Sequence, residues 1–331
     1  VPAWSSASDE PPPMPDNVHA VIANRLDLLD PGDRAVLQAA AVVGRHFWPA
    51  AVAAALGRPV DVVEGALRRL EQRDLIREQP ASAVPGQPEY RFRHVLVRDV
   101  CYHRLPRADR LARHQRAADW LDGTAGGSAA GGSAADVEAL ATHRWAAYKL
   151  AVEVRADPAG YARAAASAMY RAATTAYARQ APEAAVRWLR RIRDLGGPVA
   201  PEVELLDLEL ALTADRSAFL AGDGPRRLAE LGGAPERLVA ARAYALLGTV
   251  VSARAEALVY LDRAVELYDS LPDSPGKAIT LLDLARLHLA GGEYEPAVLA
   301  ADAAADLAEK LGVDGVPAQA RTLAEAARAK V

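Results

Sequence analysis

The stretch Tyr90–Leu105, YRFRHVLVRDVCYHRL, is the part of the chain best suited to hold an anion. Residues before His94 alternate apolar and basic side chains as a half-buried strand does, and apolar residues after it follow helical spacing. A strand therefore passes directly into a helix at His94. Free N–H groups at a helix start attract anions, and nearby positive charge would strengthen that attraction. The nearby cations are Arg91, Arg93 and Arg98.

The other residue types that carry chemistry show no catalytic or metal-binding spacing. The seven histidines form no HExxH motif, and a single cysteine cannot build a structural zinc site. The chain contains no GxxxxGK[ST] motif, so it cannot hold a nucleoside triphosphate in the P-loop manner. Cys101 lies on the apolar side of its helix, which indicates a packed and unreactive thiol. His143 in THRW resembles a structural position between helices.

The segment FRHVLVRDV, residues 92–100, resembles a segment of STAND-type signalling NTPases, including the NB-ARC proteins. In those proteins a winged-helix domain carries a methionine-histidine-aspartate motif, of which this chain keeps the histidine, His94. The resemblance extends over residues 15–48 and 104–121. These segments are similar to the region after the NTPase module in bacterial STAND regulators and in proteins that pair an AAA-type ATPase with a cyclase.

The resemblance implies a role for His94 as a nucleotide sensor. It would contact the β-phosphate of ADP bound to an NTPase domain outside this chain and hold a closed state until exchange. ADP or ATP would then be a cofactor of a parent protein, and any NTPase or cyclase activity would belong to the missing domain. In the isolated chain the alternative is a structural histidine that caps its helix or satisfies a strand carbonyl. We predict that this chain is not an enzyme.

Helices and strands around the junction predict a winged-helix domain over residues 16–105. Apolar side chains recur at helical spacing in four segments, and two short strands then flank a Pro/Gly loop. Helices followed by a two-stranded wing are the outline of this domain. The predicted helices cover about 16–29, 33–43, 49–56 and 61–73, and the strands cover 75–79 and 89–93. Their predicted buried residues include Val18, Val21, Ile22, Leu26 and Leu29 in the first helix and Val62, Val63, Ala66, Leu67 and Leu70 in the fourth.

The fourth helix offers an alternative function, because the helix before the wing reads DNA in DNA-binding members. Its outward side chains interleave acids with bases, which would place carboxylates against phosphate. A mixed solvated face is the default interpretation, and a DNA-binding transcriptional regulator is the alternative. The outward residues are Asp61, Glu64, Arg68, Arg69, Glu71, Gln72 and Arg73.

Residues 106–135 are predicted to connect the winged helix to the remainder of the chain. A helix there carries Arg107, Arg110 and His114 on one side. This stripe is either solvated or faces a domain or nucleotide outside the chain. The Gly- and Ala-rich stretch 123–134 indicates a flexible linker or a long loop between helices.

Residues 136–331 are predicted to form an α-α superhelix of tetratricopeptide-like repeats. Small residues recur at steps of 36, 36 and 40, close to the period of about 34 residues in such repeats. The clearest unit is Ala278–Leu311. The unit from about Glu202 fits only in its first helix, because Pro225 lies where its second helix should pack. The recurring small residues are Ala185, Ala221, Ala257 and Ala297.

The first helices of such units form a concave wall, where we predict a protein or peptide partner. Two tyrosines and two arginines on an otherwise Ala/Leu surface suit such a ligand. Ordinary amphipathic packing at helix edges is the alternative explanation. The four residues are Tyr170, Tyr177, Arg242 and Arg286.

Composition limits the class of protein. The chain of 331 residues is too long for one ordinary core, and 51% hydrophobic with only 5% aromatic residues favours closely packed helices. One cysteine, no signal peptide and no apolar run near the roughly 20 residues of a membrane span predict a cytoplasmic protein without a membrane partner.

Charge argues against a general nucleic-acid binder. The formal net charge is −4, and the one basic concentration is residues 90–116, with eight Arg and two Asp. The Pro-rich residues 1–15 indicate a linker. Because this opening has no initiator methionine, we expect a fragment of a longer protein.

Overall fold

The computed structural model describes residues 16–82, 86–127 and 133–330. This part of the chain holds 17 helices and three short strands, which confirms the predicted mainly helical fold. Its internal contacts divide it into two compact units, with the boundary between Leu195 and Gly196. The predicted domain boundaries after residues 105 and 135 fall inside the first unit and stay predictions. The linker predicted at 1–15 lies outside the described residues.

Four helices and three strands, together with the helix that follows them, surround the first hydrophobic core. Pro31 and Pro49 lie in the first turns of α2 and α3, where the N–H that proline lacks would have no helical partner. Gly57 ends α3 with a left-handed φ of 71°, which costs glycine little. Leu37 and Leu67 are fully buried, and each such side chain contributes about 2 kcal/mol. The elements are α1 (Asp16–Asp27), α2 (Pro31–Val43), β1 (His46–Phe47), α3 (Pro49–Leu56), α4 (Val60–Gln72), β2 (Ile76–Glu78) and β3 (Tyr90–Phe92).

The three strands form one antiparallel sheet in the order β1-β3-β2. The two predicted strands are the pair β2 and β3. β1 was not predicted, because two residues are too few to show alternation. It pairs with the other side of β3, and there the Phe47 ring lies 6.2 Å from Tyr90 and 5.3 Å from Phe92 between centroids. The sheet thus closes the core with aromatic side chains.

Five further helices complete the first unit. α6 continues into the Gly-rich stretch that was predicted as a linker, and residues 128–132 of that stretch lie outside the described residues. α7 begins with a capping box, in which Ser133 Oγ accepts from the Asp136 N–H and the Asp136 carboxylate accepts from the Ser133 N–H. The helices are α5 (Val95–His103), α6 (Arg107–Gly127), α7 (Ala134–Glu153), α8 (Ala159–Ala178) and α9 (Pro182–Arg193).

Eight helices form the second unit. α13 packs against α14, α15 against α16, and α17 against both α15 and α16. The incomplete unit predicted near residue 202 has its second helix divided into α11 and α12, and Pro225 lies in the first turn of α12. Its helices are α10 (Pro201–Ala214), α11 (Arg216–Ala221), α12 (Gly224–Gly232), α13 (Arg237–Val250), α14 (Arg254–Asp269), α15 (Pro275–Ala290), α16 (Tyr294–Leu311) and α17 (Val316–Arg328).

The small residues at helix contacts were predicted correctly in three of the four predicted repeats. Three of them are each the fourth residue of the second helix of a repeat, and each is buried. They are Ala185 in α9, Ala257 in α14 and Ala297 in α16. Ala221 was a wrong prediction, because it is exposed at the end of α11. The fourth residue of α11 is Phe219, which is buried. Its ring packs so closely on Gly224 that a Cβ added at residue 224 would lie 2.5 Å from a ring atom. A large side chain at this contact accompanies the break between α11 and α12.

Two predicted core residues are also wrong. Val21 in α1 is 60% exposed and Val62 in α4 is 53% exposed. Each directly precedes a residue that does pack inward, Ile22 or Val63, and neighbouring positions on a helix point about 100° apart. Within the described residues no helix has both the length and the apolar character needed to cross a membrane.

Candidate functional sites

The junction at His94 has the predicted local geometry. His94 is the N-cap residue of α5, with an extended backbone at φ −132° and ψ 135°. Its side chain is exposed and makes no capping hydrogen bond. The structure therefore does not realise the alternative in which the imidazole caps the helix, and the ring faces solvent at the start of α5.

Two of the three arginines near His94 are already paired. Arg93 Nε lies 3.2 Å from Asp74 Oδ1, and Arg98 Nη1 lies 3.3 Å from Asp99 Oδ1. Arg91 is exposed on β3. Arg98 Nε is buried and has no hydrogen-bond partner in the described part of the chain. The junction consequently keeps less uncompensated positive charge than the sequence suggested.

A buried pair of histidines joins four helices. His114 Nδ1 and His143 Nδ1 are 2.8 Å apart, and His114 Nε2 is 2.9 Å from the Tyr102 hydroxyl oxygen. The His143 ring also hydrogen-bonds the backbone carbonyl of Val43. The four residues belong to α7, α6, α5 and α2. The pair was not predicted, because its members are 29 residues apart and share no local pattern.

This pair corrects the predicted solvated stripe on α6. His114 is only 6% exposed. Arg107 pairs with Glu153 at 2.7 Å, and the Arg110 guanidinium lies 5.1 Å from the centre of the Tyr102 ring. This side of α6 therefore packs against α5 and α7.

Both histidines are held neutral. Burial lowers the pKa of His143 to about 4, and the charge of Arg98 acts in the same direction. Burial also lowers the pKa of His114 well below its ordinary value, and the nearby charges lower it further. The hydrogen bonds of the two rings are all satisfied when both rings are neutral. His143 donates to Val43 and accepts from His114, which in turn accepts from the Tyr102 hydroxyl.

The fourth helix, which carries the DNA-binding alternative, has one outward arginine committed to its own core. Arg69 Nη2 lies 2.6 Å from Asp33 Oδ1, and Arg69 Nε lies 3.1 Å from both carboxylate oxygens. Asp33 is 1% exposed, so its charge needs this partner. The Glu71 carboxylate accepts from the Glu78 N–H at 2.8 Å. These contacts hold α4 against α2 and the sheet.

The four predicted wall residues are divided between the two units. Tyr170 and Tyr177 are half-buried on α8 of the first unit. In the second unit, Arg242 on α13 hydrogen-bonds to a residue on α10, and Arg286 on α15 hydrogen-bonds to a residue on α17. Arg286 Nη2 lies 2.6 Å from Gln319 Oε1 on α17, and its Nη1 lies 2.8 Å from an Asp283 oxygen.

Arg242 compensates a buried acid, Glu209, that was not predicted from the sequence. Its Nη2 lies 2.5 and 2.7 Å from the two carboxylate oxygens of Glu209 on α10, a residue only 8% exposed. Burial raises the pKa of Glu209, and the Arg242 charge opposes this shift. Because a buried carboxylate without a partner is costly, Arg242 has a structural task whether or not it also meets a ligand.

Arginines at the start of second helices tie successive repeat units together. Arg216 Nη2 donates to the Thr249 carbonyl at 2.6 Å, and Arg254 Nε donates to the Leu287 carbonyl at 2.9 Å, each 33 residues away. Arg216 and Arg254 are the first residues of α11 and α14, and their acceptors lie in the last turns of α13 and α15. C-terminal carbonyls carry the negative end of the helix dipole, which favours a cation there, and the Leu287 carbonyl accepts from the Gly291 N–H at 3.1 Å as well. Each arginine therefore caps a helix of the next unit.

The first unit contains a cavity of about 340 Å³ between α6, α7 and α8. Its charged residue, Arg144, is held by Asp119 at 2.9 Å. The lining residues are Gln115, Arg144, Ala147, Gly160, Tyr161 and Ala164.

Metal-binding side chains are not grouped together in the described residues. No three His, Cys, Asp or Glu side chains in that part of the chain are placed to share a metal ion. Cys101 is 1% exposed, and burial raises its pKa to about 12, so the thiol stays protonated.

Comparison with known proteins supports the repeat prediction directly. Residues 251–310 match the tetratricopeptide repeat family, a range that covers α14, α15 and nearly all of α16. No curated protein matches the sequence.

The fold is similar to that of a solved Signal Transduction ATPase with Numerous Domains (STAND) protein with a tetratricopeptide repeat sensor from Pyrococcus horikoshii. The TM-score is 0.53 at 13% sequence identity, and the match covers 94% of this chain. It covers 50% of the other chain, so this chain spans about half the length of that structure. At this identity the likeness concerns the fold.

Proposed function

We propose that this chain is a non-enzymatic regulatory and protein-interaction region of a STAND-like signalling protein. The repeats of the second unit bind a protein or peptide partner, and the first unit relays the nucleotide state of an NTPase domain. The fold likeness to a STAND protein with a tetratricopeptide repeat sensor, over 94% of the chain, carries the proposal. The repeat match at residues 251–310 supports its interaction role.

In this proposal residues 16–105 act as a winged helix. The order of four helices followed by the β2–β3 pair supports this assignment. His94 follows β3 at the start of α5 with an exposed ring, so a phosphate oxygen would meet both the imidazole and the positive end of a helix dipole.

The nucleotide-sensing part is tested in a protein that joins this chain to its NTPase domain. We expect His94→Ala to release bound ADP faster than the wild type, because the β-phosphate loses a donor. His103→Ala is the matched control, since His103 is exposed at the other end of α5. Equal ADP retention in wild type and His94→Ala would refute the sensor role.

The partner-binding part is tested by charge reversal on a first helix. Peptides enriched from a random display library on the full chain would be measured by fluorescence anisotropy. We expect Arg286→Glu to weaken binding about tenfold, as loss of a well-placed arginine contact does. Arg263→Glu is the control, because both arginines are exposed and pair with a carboxylate three residues away. Equal effects of the two reversals would contradict a wall site at α15.

DNA binding stays the weaker alternative. The pairing of Arg69 with buried Asp33 removes one base from the face that would meet phosphate. Duplex binding that falls steeply with added salt would favour that alternative over the proposal.

A further inference from the structure

A second surface of the repeats combines exposed apolar side chains with unpaired acids. Val259 is the sixth residue of α14 and Leu299 the sixth residue of α16, and they are 65% and 72% exposed. The positions are equivalent, because Ala257 and Ala297, two residues earlier, are the buried fourth residues of the same helices. Both helices pack on α15.

Carboxylates flank each of these apolar side chains along its helix. Glu256 and Asp262 lie about one turn either side of Val259, and Glu295 and Asp306 lie one turn before and two turns after Leu299. All four are exposed, and no cation of the described residues lies within 4 Å of them. We call these six residues the acidic face.

Pairing elsewhere on the two helices shows that the acidic face keeps its charge. Exposed acids outnumber exposed bases on α14 and α16 by seven to two, and both bases already have partners. Arg263 bonds to Glu266 at 2.7 Å, and Lys310 bonds to Asp273 at 2.7 Å. The acids of the acidic face therefore have no cationic partner within the described residues, although Glu256 accepts from the Tyr260 hydroxyl at 3.2 Å.

A single exposed aliphatic residue needs no explanation, since much of any protein surface is apolar. Here the same position is apolar in two successive units, with unpaired acids on both sides in each. Apolar side chains on a surface where one sign of charge is in excess indicate a binding surface for the opposite sign. Phosphate groups of nucleic acids or lipids would be repelled by the four carboxylates.

We propose that the acidic face binds a basic amphipathic segment of a partner protein. Its apolar side chains contact Val259 and Leu299, and its lysines or arginines approach the four carboxylates. The surface lies on second helices, whereas the proposed wall residues Arg242 and Arg286 lie on first helices. The two sites can therefore be lost independently.

The test uses the full chain and an 18-residue amphipathic peptide of Leu and Lys, with a Leu and Glu peptide of the same pattern as the control ligand. Binding is followed by fluorescence anisotropy at low salt. We expect the Lys peptide to bind and the Glu peptide not to bind. Val259→Asp with Leu299→Asp is expected to weaken the Lys peptide about tenfold, although it adds negative charge. Both positions are exposed, so the variant should keep the wild-type circular dichroism.

The matched control is Val152→Asp with Leu238→Asp, which adds the same charge at side chains that are each 49% exposed outside the acidic face. If charge alone drove binding, both double variants would bind the Lys peptide at least as tightly as the wild type, and that result would overturn the proposal. A dimer in the wild type that dissociates in Val259→Asp with Leu299→Asp, seen by sedimentation, would show a second copy as the occupant and also overturn it. Arg286→Glu should leave Lys-peptide binding unchanged, which separates failure here from failure of the wall site.

Discussion

At the scale of single residues, the contact between His114 and His143 makes the first unit sensitive to acid. Both rings are buried, and their hydrogen bonds to Tyr102 and Val43 use all the donors and acceptors of the neutral forms. The charged groups that face His114 are Arg98, Arg110 and Lys149, all cationic. A proton on either ring would add a donor without an acceptor in a positively charged neighbourhood.

This contact predicts a loss of stability at low pH. The pKa of His143 is about 4 in the folded chain and about 6.5 when unfolded, so the unfolded state binds more protons between these values. The free energy of unfolding should therefore fall as pH drops from about 6.5 towards about 4, by up to about 1.4 kcal/mol per pH unit for each histidine. Above pH 7 the contact should add no pH dependence.

Urea unfolding at several pH values checks this prediction with two variants. His143→Gln keeps hydrogen-bonding groups but cannot titrate, so its stability should fall less below pH 6.5 than that of the wild type. His103→Gln removes an exposed histidine and should behave as the wild type does. The same pH slope in His143→Gln and wild type would show that His143 binds protons equally in the folded and unfolded states, and this would contradict the prediction.

Arg242 gives a second prediction at this scale. Arg242→Ala leaves the Glu209 carboxylate buried without its partner, so we expect a loss of about 3 kcal/mol in the free energy of unfolding. Combining it with Glu209→Gln should recover much of that loss, because the uncompensated charge is gone. Arg263→Ala breaks an exposed pair and should cost at most about 1 kcal/mol. Equal urea midpoints for the two alanine variants would contradict a structural role for Arg242.

At the scale of elements, helices and strands with local sequence signals were predicted, whereas contacts between residues far apart in the sequence were not. The bounds 49–56 were predicted as observed, because Pro49 starts that helix and Gly57 ends it. The start of α5 after His94 was visible because the apolar period changes there. β1 and the 33-residue arginine links could not be predicted, since their partners are set by tertiary packing. For the same reason the His94 junction was located, but the pairing of its Arg93 with Asp74 was not.

The close approach of α13 and α14 leads to a prediction about glycine. A Cβ at Gly248 would lie 2.5 Å from Leu261 side-chain atoms and 3.2 Å from the Ala257 carbonyl oxygen. We expect Gly248→Ala to destabilise the second unit by about 1–3 kcal/mol, the usual cost of overpacking. In Gly65→Ala the nearest atom is the end of the Arg69 side chain at 3.6 Å, so this mid-helix change should stabilise by about 0.5–1 kcal/mol. Thermal unfolding that gives both changes the same sign would contradict this packing.

At the scale of the whole molecule, charge is divided unevenly between the two units. Residues 1–195 hold 26 basic and 22 acidic residues, a formal charge of +4, whereas residues 196–331 hold 13 and 21, a formal charge of −8. The net charge of −4 hides this division. A field of this kind attracts cationic partners to the second unit and speeds their association at low salt. This supports a basic ligand for the acidic face and not an acidic one.

The division into two units predicts that the chain does not unfold in one step. Each unit has its own buried clusters, and chains of this length commonly lose single-step behaviour. All five tryptophans, Trp4, Trp48, Trp120, Trp145 and Trp188, lie within residues 1–195. Tryptophan fluorescence therefore reports on the first unit alone, whereas far-ultraviolet circular dichroism reports on the helices of both. We expect the two urea transitions not to coincide.

Gly248→Ala tests whether the fluorescence and circular dichroism transitions are independent, because residue 248 lies in the second unit. This variant should shift part of the circular dichroism transition to lower urea and leave the fluorescence transition in place. Coincident curves in the wild type that shift together in Gly248→Ala would show one cooperative unit of 331 residues. The free energy that couples the unfolding of the two units would then have to exceed the difference between their separate free energies of unfolding.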